Sequence, residues 1–196
     1  MRELQHRRSI RRFTNGPVSD TDLAALVEAA AWAPSAGNRQ DWRCTATRDP
    51  ARIGAAAAAV RAAWEAIAAG SGGIGDEVRA YAGNFAWFAS APLLLAFAVR
   101  PPPAWLRASA GAAAARISGG EASAMMAVQN LLLAADARGL GACVLTAPVA
   151  AEEALRPLLG LDRRRQLCCL VAVGHPAEQP PAPPRRNDFL EVIDGR

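Results

Sequence analysis

Near its start the chain carries Arg7-Arg8-Ser9-Ile10-Arg11-Arg12-Phe13. In an extended chain alternate side chains share a face, so Arg7, Ser9 and Arg11 point together and Ile10 turns to the core. Two guanidinium groups and a hydroxyl on one face suit a phosphate or an electron-rich heterocycle. The same run also reads as a solvated basic helix end. A second run, Ala33-Pro34-Ser35-Ala36-Gly37-Asn38-Arg39-Gln40-Asp41-Trp42, joins small residues to Asn and Gln. The small residues permit close backbone approach and the amides donate and accept. Such a loop can bond the edge of a planar ligand, or be an ordinary helix-to-strand turn. A third run, Gly120 to Ala135 followed by Gly139-Leu140-Gly141, is rich in small residues. It suits close packing in a core or a seam between two subunits.

Elements of regular structure must position these runs. A short helix over 2–8 leads into an extended stretch, Ser9 to Phe13. Ser19 followed by Asp22 resembles a capping box and opens a helix over 20–31. Its apolar face holds Leu23, Leu26, Val27 and Ala30. Trp42 to Thr47 alternates like a strand. Asp49-Pro50 is a cap followed by proline in the first turn, starting a helix that runs to about residue 69. Gly70 to Gly75 follows a helix and contains no Lys, so it reads as a flexible connection and not a phosphate loop. Another helix is expected over 76–88. Leu93 to Val99 is continuously apolar, as in a strand buried on both faces. Residues 100–118, with Pro101, Pro102 and Pro103 in a row, read as irregular. The helix over 120–138 is apolar nearly all round and should be central. Strands over 141–146 and 166–173 flank a helix over 151–159. The tail from Gly174 is proline-rich and extended. Interleaved helices and strands give an α/β or α+β class.

Composition limits the rest. The 196 residues, 52% hydrophobic and 20% charged, suit one globular domain with a real core. All 22 basic side chains are arginine, against 18 acidic ones, for a formal charge of +4. They are scattered, apart from runs at 7–12, 163–165 and 185–186. That pattern argues against nucleic acid as a partner. Cys44, Cys143, Cys168 and Cys169 form no C-x-x-C pair and read as reduced thiols, buried in the main. With two His and no His/Cys cluster, no metal site is expected. No apolar run reaches the ~18 residues of a membrane helix, and the basic start has no apolar signal region. The expectation is a cytoplasmic protein that does not bind membranes.

Taken in order, the runs resemble the FMN-dependent nitroreductase family. Arg-Arg-Ser-Ile-Arg-Arg-Phe is similar to that family's opening. Ala-Pro-Ser-Ala-Gly-Asn-Arg-Gln-x-Trp is similar to its next motif. Gln129 to Ala135, then Gly139-Leu140-Gly141, resembles its central dimer helix. Val173-Gly174-His175-Pro176, and Arg185-Arg186 before Phe189 to Ile193, resemble its C-terminal pattern. The likeness spans nearly the whole chain.

The resemblance implies an α+β fold: a mixed, mainly antiparallel central sheet flanked by helices, in an intertwined homodimer. The single domain, 1–196, would have a variable lid around 70–118 and an extended tail, 174–196. Two FMN molecules would lie at the interface. Arg7 and Arg8 would serve the phosphate and ribityl end, and Ser9 the ribityl or phosphate oxygens. Arg11 would sit near the pyrimidine edge, where positive charge stabilises the reduced flavin. Pro34, Ser35, Ala36 and Asn38 would come from the partner subunit. Leu145 and Thr146 would lie beside the flavin face away from the substrate. Arg185 or Arg186 would close over the phosphate. Trp87 and Trp105 are candidate walls of a substrate pocket. Trp64 and Phe88 fit core packing better.

The implied reaction is ping-pong. NAD(P)H gives hydride to FMN, which then reduces a nitroaromatic, quinone or activated alkene. No G-x-G-x-x-G lies between a strand and a helix, so the nicotinamide would use the acceptor's pocket. The alternatives are an FMN-dependent oxidase or desaturase on this fold, and a relative that binds a ligand without turnover. The sequence departs from the family in two places. Asp41 stands where the family usually has Pro. Val144 to Pro148 is apolar where the family often has an acidic or small polar residue, so the contact to the flavin's central nitrogen would be a backbone N–H.

Overall fold

Two side chains set where the first long helices begin. In the computed structural model, which describes residues 2–186 and 188–192, the Ser19 hydroxyl accepts from the Asp22 N–H at 3.0 Å. Asp49 accepts from the Ala51 N–H at 2.9 Å, with Pro50 in the first turn. Each cap satisfies a donor that the helix cannot pair internally. After α1 (Arg2–His6), they open α2 (Asp20–Ala31) and α3 (Pro50–Gly70). The strands are β1 (Arg43–Thr47), β2 (Leu93–Val99), β3 (Gly141–Leu145) and β4 (Gln166–Gly174). They form one sheet in the order β1-β2-β4-β3, every pair antiparallel. The expected mixed sheet is thus corrected. Its parallel component is a single bridge between Ser9 and Ala142.

Alternation along the two central strands builds a core on each face. Leu93, Leu95 and Phe97 of β2 pack with Leu26 of α2 and Leu131 of α7 (Gly120–Ala137). Leu94 and Ala96 pack with Ile53 and Val60 of α3 and Leu155 of α8 (Glu152–Leu159). Both faces of β2 and β4 are therefore covered, which explains their unbroken apolar sequence.

Three expectations need correction. Residues 100–118 are largely helical: α5 (Ala104–Ala110) and α6 (Ala114–Ser118) flank a short 3-10 turn. Alanine propensity carries these turns, and the prolines end at Pro103, the N-cap of α5, where they cost no internal bond. The helix expected over 76–88 is α4 (Gly75–Ala82). Gly83 ends it, and a separate 3-10 turn spans Trp87–Ser90. Val27, placed on the buried face of α2, is 43% exposed. The range 70–118 falls into two helical stretches separated by β2. Among the described residues, no helix is long and apolar enough to cross a membrane.

Candidate functional site

The N-terminal segment is held on two sides. Ser9 bridges Ala142 of β3, and the Ile10 N–H donates to the Ala142 carbonyl at 3.1 Å. On the other side the tail runs past it: Thr14 N–H donates to His175 O, and Ala177 N–H to Arg12 O, both at 2.9 Å. Glu178 completes the clamp. One of its carboxylate oxygens accepts from the N–H groups of Arg11 (2.6 Å) and Arg12 (3.1 Å). The extended conformation is thus fixed by backbone bonds, and side chains alternate as the spacing requires.

Cys143, at the centre of β3, directly follows the Ala142 bridge to Ser9. Burial pushes its thiol pKa up, against opposing pulls from Arg11, a Ser9 hydrogen bond and Arg7. The even-numbered residues face elsewhere. Arg8 and Ile10 line a cleft of about 470 Å³ with Leu140 and Glu178. The Arg8 guanidinium donates to the carbonyls of Gln5 (2.7 Å), His6 (2.8 Å) and Arg7 (3.0 Å). It therefore caps the end of α1. His6 lies 3.0 Å from both carboxylate oxygens of Asp136, anchoring α1 to the end of α7.

The second run forms a tight, strained loop. Gly37, Asn38 and Gln40 all have left-handed φ, at 59°, 52° and 47°. Asn tolerates that conformation and Gln does so less well, so the surroundings must enforce it. Ser35 Oγ accepts from the Gln40 N–H at 3.0 Å, and the Gln40 amide donates to Asn38 Oδ1 at 3.0 Å. The Ala36 N–H donates to Ser123 Oγ at 3.2 Å, fixing the loop to the first turn of α7. Pro34 and Asn38 are exposed; Ser35 and Ala36 are half-buried.

Among the described residues no hydrogen bond or ion pair joins these two clusters within one chain. The loop is anchored at Ser123, and His6, which precedes the Arg7–Arg11 segment, at Asp136. Thirteen residues of helix separate those positions by about 20 Å. Leu145 is buried and Thr146 exposed. Thr146 borders an opening of about 490 Å³ with Glu121, Met125 and Gln166. Arg186 makes a two-point ion pair with Asp188 at 3.0 and 3.1 Å. Among the described residues Arg185 has no such partner. Trp87 stacks at a tilt on Phe13, with ring centroids 6.3 Å apart. Trp105 is 70% exposed on α5. Phe88 is fully buried, and the Trp64 indole donates to Ala147 O at 3.1 Å.

Two features escape a reading of the sequence. The first is Glu178, whose role depends on a chain reversal that no local pattern signals. The second is Asp41. Its carboxylate pairs with Arg39 at 3.1 Å and lies 4.0 Å from Arg100, and its carbonyl accepts from Arg165. Its departure from the usual Pro marks the position but not what its side chain does.

Residues 4–175 match the sequence profile of the nitroreductase family. An NADH dehydrogenase of Thermus thermophilus is 32% identical over 184 residues, covering 88% of this chain and 84% of that protein. A BluB-like flavoprotein of Clostridium difficile 630 superposes with a TM-score of 0.83 at 23% identity, covering 98% and 97% of the two chains. A nitroreductase with bound FMN from Desulfitobacterium hafniense DCB-2 gives 0.78 at 20% identity, over 98% and 97%.

Proposed function

The chain belongs to the nitroreductase family, and on that premise we propose that it is an FMN-dependent enzyme. It would take hydride from NAD(P)H and reduce a nitroaromatic, quinone or activated alkene. The observation that supports this reading is the family match over residues 4–175, together with the Arg7–Arg11 segment bridged to β3 at Ser9 and held by Glu178. The donor set fits the cofactor, with cations and a hydroxyl for phosphate and ribityl oxygens. Bound FMN supplies the redox chemistry, so no protein acid or base is needed.

In this reading Arg7 and Ser9 hold the ribityl phosphate end, and Arg185 closes over the phosphate. Arg186 is committed to Asp188. Arg8 is given over to the α1 cap and drops out of the binding set. Arg11 sets a fixed positive charge at the pyrimidine edge, where it favours electron uptake. Leu145 at the end of β3 and Thr146 just after it border the ring, with a backbone N–H as the contact to the central nitrogen.

The loop at 34–38 joins this set only from a second copy. The two clusters lie at opposite ends of α7, so an antiparallel pairing of two α7 helices brings each loop to the other chain's N-terminal segment. Two exposures support that pairing. Ala122, Met126 and Gln129 form an outward stripe on α7. In the tail Phe189 and Leu190 are 83% and 75% exposed, an apolar surface that asks for a cover.

The test is the visible spectrum of the freshly purified protein, followed by NADH or NADPH under nitrogen. A flavin spectrum that bleaches is the expected result. A flavin that neither nucleotide bleaches favours the oxidase or desaturase alternative. A colourless protein that FMN does not reconstitute overturns the reading.

A further inference from the structure

A cleft of about 880 Å³ lies between the strained loop and α5, within the size range of small-molecule sites. Five arginines line it: Arg39, Arg100, Arg107, Arg164 and Arg165. Only two carboxylates, Asp41 and Asp162, oppose them. Asp41 is shared between Arg39 and Arg100, and an Asp162 oxygen accepts the Arg164 N–H at 2.8 Å. The cleft therefore keeps an excess of positive charge in a concave wall, where the field is focused.

Arg165 is the buried member, 8% exposed, and the one hydrogen bond of its guanidinium among the described residues goes to the Asp41 carbonyl. A buried guanidinium normally meets a carboxylate. Here burial, then the nearby charges of Arg43 and Arg100, pull its pKa down against the weaker opposing pulls of Asp162 and Asp41. The loop that carries it is braced: Arg156 donates to the carbonyls of Asp162 and Arg165, both at 3.0 Å. The fold thus holds an under-neutralised cation in place, which an anion would relieve. Trp105 stands exposed on the same wall and offers a stacking surface. Arg39 and Asp41 directly follow the loop proposed to bracket the flavin, so the cleft opens beside that site.

We propose that this cleft recognises the phosphate or carboxylate group of a substrate presented to the flavin, with Trp105 receiving its planar part. The inference rests on the flavin reading for the reaction served, and two readouts keep the two apart. The visible spectrum reports the flavin alone. Calorimetric titration of the purified holoprotein with inorganic pyrophosphate reports the cleft alone. Arg100→Glu and Arg164→Glu alter exposed side chains, and Arg61→Glu on α3 controls for net charge.

Saturable pyrophosphate binding is expected in the wild type and in Arg61→Glu. It should weaken about tenfold in each cleft variant with the flavin spectrum unchanged. Kinetics then identify the source of the anion. A kcat/KM preference for NADPH over NADH that vanishes in Arg100→Glu assigns the cleft to the donor's extra phosphate. Equal donors, with 4-nitrobenzoate preferred over nitrobenzene, assign it to the acceptor. No saturable pyrophosphate binding, binding untouched by both variants, or neither kinetic preference would overturn the proposal.

Discussion

Arg8 and Arg11 are the same residue type three positions apart, yet the structure gives them different work. Arg8 closes α1 by bonding three carbonyls. Arg11 is exposed, its N–H held by Glu178 and its charge felt at Cys143. Arg11→Ala should therefore weaken FMN binding and lower the flavin's reduction potential, with little change in Tm. Arg8→Ala should lower Tm slightly and leave flavin occupancy intact. The ratio of flavin to protein absorbance, beside a thermal melt, separates the two. Normal occupancy and potential in Arg11→Ala would remove it from the site. The first run was readable as an extended segment, which its bonds to Ala142 and Ala177 show it to be. It could not show that Arg8 turns back on α1, because that depends on where the helix stops.

At the scale of elements, the site depends on how closely the N-terminal segment can lie on β3. Gly141 shows the constraint: a Cβ there would stand 2.7 Å from Ile10 Cβ. Neither partner can yield, since Ile10 is buried and Gly141 is in a strand. Gly141→Ala should displace the segment, costing about 1–3 kcal/mol by overpacking. It should also lower FMN affinity, because the three nearest atoms to the new methyl all belong to Ile10. A variant with unchanged Tm and flavin content would show that the segment docks more loosely. The glycine was visible in Gly139-Leu140-Gly141, but its reason was not, since Ile10 lies far away in sequence. The central strands and capped helices were legible because their signals are local: Ser19, Asp49-Pro50 and the apolar run of β2. The helices within 100–118 were obscured by three prolines whose effect ends at Pro103.

At the scale of the molecule, the loop is anchored at the start of α7 and His6, ahead of the N-terminal segment, near its end. The fold class followed from interleaved elements, whereas the separation of the two motifs appeared only once α7 lay between them. Met126 is 40% exposed on the outer stripe of that helix. Met126→Glu should break the pairing by placing a charge in the seam. Sedimentation should then show monomers, and the flavin should be lost with the dimer. A monomer that keeps its flavin would mean that a single chain suffices.

The most direct test of a site shared between two copies is complementation. Arg11→Glu damages the N-terminal half of the site, and Ala36→Glu damages the loop half. Neither variant alone should hold FMN. Unfolded together and refolded as a mixture, they should regain flavin absorbance at about one site in four, because each mixed dimer contains one fully intact pair of halves. No recovery from the mixture, while wild type refolded in the same way binds FMN, would contradict the account.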